Sequence, residues 1–63
     1  MKIGDIWRWT KNSAEHPDDS SYNYFVVLDM DYGISVMYLI DGKRTVYTAD
    51  TFIANRNNLE LVA

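Results

Sequence analysis

Residues 34–48 read Ile-Ser-Val-Met-Tyr-Leu-Ile-Asp-Gly-Lys-Arg-Thr-Val-Tyr-Thr. Two runs rich in β-branched and aromatic residues flank an Asp-Gly pair, the strongest short-range signal of a β-hairpin. A two-residue turn at Asp41-Gly42 predicts a register. Ile40 stands opposite Lys43, Tyr38 opposite Thr45, Val36 opposite Tyr47 and Ile34 opposite Ala49 on one face. Leu39 with Arg44, Met37 with Val46 and Ser35 with Thr48 occupy the other. The first face is more apolar and is predicted to point inward.

The remaining elements follow from the same alternation. Gly4-Asp5 predicts a turn into a first strand, with Trp7 and Trp9 on one face and Ile6 and Arg8 on the other. Residues 10–21 hold the only proline and three of the nine acidic residues, a polar loop that is long for so short a chain. A second strand spans residues 22–29, apolar on both faces as in a central strand. Residues 29–33 form a turn with Gly33 at the positive-φ position. Alternation breaks at residues 49–53, which predicts one helical turn capped by Asp50 or Thr51, with Phe52 as a plug. Residues 59–62 form a short last strand. The expected core is Val26, Leu28, Val36, Tyr38, Phe52 and Leu61.

The chain has 63 residues, which predicts a single domain, 1–63. Domains of this size are marginal and are often stapled by disulfides or a metal. With no cysteine and one histidine, this chain must depend on large side chains. Its nine aromatics can each bury roughly 150–250 Å². The net charge of −3 argues against a duplex-binding protein, which needs a basic stripe on the phosphates. No apolar run approaches the roughly 18 residues of a membrane span, and no signal-peptide pattern opens the chain. Together with the lack of cysteine, this predicts a soluble, cytoplasmic protein.

The pattern Lys2-Ile3-Gly4-Asp5-Ile6-Trp7, then Phe25-Val26-Val27-Leu28, then Val36-Met37-Tyr38-Leu39-Ile40-Asp41-Gly42, then Phe52 and Leu59-Glu60-Leu61-Val62 resembles small SH3-like barrels. Many of these occur in bacteriophages and their bacterial hosts. They typically open on Lys-x-Gly-Asp and end in a Leu-Glu-Val-type strand, and Tudor-like domains share the Val-x-aromatic-x-x-Asp-Gly pattern. The resemblance implies an all-β fold: a five-stranded SH3-like barrel with a one-turn helix before the last strand. It is specific for fold and not for function, because this fold hosts many unrelated activities. The loop at residues 10–21 departs from the family pattern in length and acidity.

No constellation for nucleophilic catalysis is present. His16 with Glu15, Asp18 and Asp19 lacks the ligand spacing of a zinc motif, so neither metal nor cofactor is expected. The aspartates at positions 18, 19, 29 and 31 stand in turns, where the backbone favours them. An enzyme is therefore not expected. There are more aromatics than a five-stranded barrel can hide, and exposed Trp and Tyr favour interfaces. The leading expectation is a non-enzymatic protein-binding module, a phage accessory protein that binds or inhibits a host protein. Its expected partner-binding residues are Trp9, Glu15, Asp18, Asp19, Tyr22 and Tyr32. The alternatives are a nucleic-acid-binding barrel using Lys2, Arg8, Lys11, Lys43, Arg44 and Arg56, and a structural subunit self-associating through its last strand.

Overall fold

The computed structural model describes residues 1–10 and 23–63. Five strands form one antiparallel sheet: β1 (Ile6–Trp9), β2 (Tyr24–Asp29), β3 (Ile34–Tyr38), β4 (Arg44–Tyr47) and β5 (Leu59–Leu61). A helix, α1 (Ala49–Ala54), and a 3-10 turn, Arg56–Asn58, lie between β4 and β5. The sheet order is β4-β3-β2-β1-β5, so β2 is central, as its two apolar faces predict. Among the described residues β4 and β5 are not paired with each other, and the sheet remains open.

The β3–β4 hairpin forms, but not in the predicted register. Tyr47 stands opposite Ile34 and Thr45 opposite Val36, two residues from expectation. A two-residue type I′ turn requires positive φ at both central residues. Here only Gly42 has it, at +72°, so Asp41 does not adopt the conformation the short turn demands. The chain instead makes a four-residue loop, 39–42, between Tyr38 and Lys43. Gly42 donates its backbone N–H to the Tyr38 carbonyl at 2.8 Å, and Tyr38 donates to the Lys43 carbonyl at 2.8 Å. The Asp41 carboxylate accepts from the Lys43 N–H at 2.9 Å. Because side chains alternate with period two, a two-residue shift leaves each residue on its predicted face.

The core corrects the expected face of β2. Phe25, Val27, Ile34, Val36 and Phe52 are buried, and Trp7, Trp9, Tyr38, Tyr47 and Leu59 pack against them. Val26 and Leu28 are only half-buried, on the opposite face. The registers explain this. Trp7 pairs with both Phe25 and Leu61, and Phe25 pairs with Tyr38. These large rings share the concave face on which Phe52 sits, so Val26 turns outward. A register shift between Val27 and Asp29 takes Leu28 out of the regular ladder. Leu61 lies on the concave face but is 54% exposed, because it stands at the sheet edge.

Helix α1 begins at Ala49, where the alternation is expected to break, but its cap is Thr48 rather than Asp50 or Thr51. Thr48 is extended (φ −80°, ψ 154°), and its hydroxyl accepts from the Thr51 N–H at 3.3 Å. At the other end the Asn55 side chain donates to the Thr51 carbonyl at 2.8 Å. These contacts aim Phe52 into the sheet.

Of the three glycines with positive φ, Gly42 and Gly33 stand in different surroundings. A Cβ at Gly42 would meet nothing within 4 Å, whereas one at Gly33 (φ +92°) would lie 3.1 Å from the Tyr47 carbonyl oxygen and from Val46 Cγ1. Gly42→Ala should therefore lose only the left-handed backbone penalty, about 1–2 kcal/mol. Gly33→Ala should lose more, because backbone must also give way. Urea midpoints of the two variants check this ordering, and equal losses would contradict it. Phe52→Ala should cost roughly 3–5 kcal/mol from transfer and cavity terms; near-native stability would show that Phe52 does not organise the core.

Candidate binding groove

Trp9 is the centre of an aromatic cluster. Its ring stacks on Phe52 with centroids 5.6 Å apart, lies 5.8 Å from Phe25 and meets Tyr47 edge-on at 5.9 Å. Tyr47 meets Phe52 edge-on at 5.2 Å. The Trp9 indole N–H donates to the Tyr38 hydroxyl at 3.0 Å, and the Tyr38 and Tyr47 hydroxyls share a 2.5 Å hydrogen bond. Three polar tips are thereby satisfied within an apolar cluster. Burial, then the hydrogen bond to Tyr38, raises the Tyr47 pKa strongly.

The concave face is not fully covered. Five strands about 4.8 Å apart would span about 19 Å if flat. Six helical residues extend only about 9 Å. Helix α1 covers the middle through Phe52 and leaves a groove toward β1 and β5. The groove holds about 370 Å³, is open to solvent on one side, and is lined by Met1, Trp7, Phe52, Ile53, Arg56 and Leu59. Ile53 is 60% exposed at its lip. Trp7, one wall, carries a buried indole N–H with no acceptor among the described residues. A buried donor left unpaired costs about 1–3 kcal/mol. Among the described residues Arg56 is the one charged side chain lining the groove, and it makes no ion pair with any of them.

The convex face has a different chemistry. Arg8 donates to the Glu60 carboxylate across the β1–β5 pair, and its guanidinium carbon lies 5.9 Å from the centre of the Tyr24 ring. The Glu60 hydrogen bond and charge raise the Arg8 pKa further.

Of the predicted partner-binding residues, Trp9 and Tyr32 are among the described residues. Trp9 lies in the aromatic cluster. Tyr32 is 96% exposed in the β2–β3 turn. The length of β2, six residues or about 20 Å, separates the two positions along the sheet. Glu15, Asp18, Asp19 and Tyr22 lie outside the described residues, as does the loop that contains them with His16. Of the six basic residues, Lys11 is also outside them, Arg8 is engaged by Glu60, Lys2 precedes β1, Lys43 precedes β4, Arg44 opens β4, and Arg56 opens the 3-10 turn. Among the described residues no cluster of three or more His, Cys, Asp or Glu side chains could hold a metal, and no helix is long and apolar enough to cross a membrane.

Sequence reasoning missed Met1, Trp7, Ile53, Arg56 and Leu59 as a site. The available signal was Ile53, an apolar residue directly after the predicted plug and on a different side of the helix. The fold and groove together define a small, mostly β protein with an open, helix-capped sheet. Compared with protein-family models, curated proteins and solved structures, the chain gives no significant match.

The Tyr47 phenol generates a pH prediction. Its folded pKa lies above the unfolded value of about 10, so the folded state holds a proton that the unfolded state releases. This stabilisation is complete below pH ~10 and is lost as pH rises through the folded pKa. Denaturant midpoints should fall above pH ~10, and Tyr47→Phe should flatten that fall. An identical alkaline slope in the variant would remove Tyr47 as its source.

Proposed function

We propose that this chain is a non-enzymatic protein-binding module built on an SH3-like barrel. The strand order β4-β3-β2-β1-β5 and the helical turn before the last strand support the barrel reading. The sequence resemblance supports the phage and bacterial type, and with it an accessory role on a host protein. The cysteine-free composition supports a cytoplasmic setting. The observation that carries binding is the open apolar groove between α1 and strands β1 and β5. Pockets of roughly 300–1,000 Å³, walled by aromatics with few polar groups, are typical places of recognition. The engagement of Arg8 by Glu60 counts against a nucleic-acid surface that would need it.

The test is selection from a displayed random-peptide library with the whole chain as bait. Wild-type protein should enrich a sequence class that Ile53→Gln does not retain. Ile53 is exposed, so this substitution should leave the melting midpoint nearly unchanged. Enrichment of nothing by the wild type, or of the same class by both proteins, would overturn binding through this groove.

A further inference from the structure

Resting on that reading of the groove, we infer that its occupant is an extended peptide segment of a partner protein carrying one apolar side chain beside a carboxylate. Two observations converge on this chemistry. The walls supplied by Trp7, Phe52, Ile53 and Leu59 suit a side chain of leucine, methionine or phenylalanine size. Arg56 stands at the same groove without an ion-pair partner among the described residues. Its guanidinium offers a planar fork that matches a carboxylate.

The shape selects a peptide over a free small molecule. A pocket that holds a whole small ligand buries most of that ligand's surface. This groove is open on one side, with Ile53 and Arg56 exposed at its margin. An anchor side chain can enter while the chain carrying it continues outside. Strand β5 runs along the groove through Leu59 and, among the described residues, is an edge strand bonded only to β1. Its free edge can take an extended segment by strand addition, which supplies main-chain hydrogen bonds while the groove supplies side-chain specificity. Arg56 then discriminates: an acidic neighbour of the anchor is attracted, and a basic one is repelled.

The experiment uses the full chain and the peptides enriched from the random library. They should share an apolar residue within one or two positions of Asp or Glu. For a synthetic peptide of that class, Arg56→Glu should weaken binding about tenfold. Replacing the peptide's acid by Lys should restore binding to the Arg56→Glu variant. In ¹H–¹⁵N spectra the Trp7 indole signal should shift on titration, while that of Trp9, already bonded to Tyr38, should hold nearly still. Enriched peptides without an acid, or binding indifferent to Arg56→Glu, would overturn this inference and leave the binding module standing. Enrichment of nothing would instead remove the module reading on which it rests. Binding of sodium octanoate with no peptide bound, or self-association abolished by Ile53→Gln, would overturn it in favour of a small hydrophobic acid or a second copy.

Discussion

The contact of Phe52 with Trp9, Phe25 and Tyr47 is the interaction on which the rest of the structure depends. A chain of this size has little core to spare, and no disulfide supplements it. Phe52 is delivered from a six-residue helix that would not persist alone in water. The Thr48 cap and the Asn55 side chain hold that helix at its two ends. Ring contacts then join α1 to β1, β2 and β4. The hydroxyls of Tyr38 and Tyr47 complete the cluster, because they satisfy each other and the Trp9 indole.

The two tryptophans, two residues apart on one face, have opposite chemistry. Trp9 has its N–H bonded and its ring surrounded, which fits a structural part. Trp7 has a buried N–H without an acceptor among the described residues and a ring that walls a groove. The difference follows from the helix. Where α1 lies over the sheet, rings are covered and polar tips find partners. Beyond its reach, toward β5, Leu61 remains exposed, and Ile53 of the helix itself stands open at the lip. A cover shorter than the surface beneath it leaves a recess at its margin.

The parts of this arrangement visible in the sequence are those governed by neighbouring residues. Gly33 falls at positive φ as its turn requires, the Asp41-Gly42 pair marks a real hairpin, and Phe52 is brought inward by a helical turn. The hairpin register was not visible, because it depended on whether Asp41 would adopt positive φ. The buried face of β2 was not visible either. Val26 and Leu28 are as apolar as Val27, and only pairing with Trp7 and Tyr38 selects Phe25. The groove was least accessible of all, since it arises from the length of α1 relative to the width of the sheet, a property that no local pattern carries.

The Arg8–Glu60 pair also bears on how the chain reaches this structure. Strands β2, β3 and β4 follow one another through short turns, so each finds its neighbour locally. Strand β5 instead joins β1 across 52 residues of sequence. Closing so large a loop is an entropic cost met before its contacts form. Among small domains, such non-local pairing accompanies folding in milliseconds to seconds rather than microseconds. The free edge beside the groove is therefore the part of the sheet whose assembly waits on the most distant encounter, within reach of stopped-flow mixing.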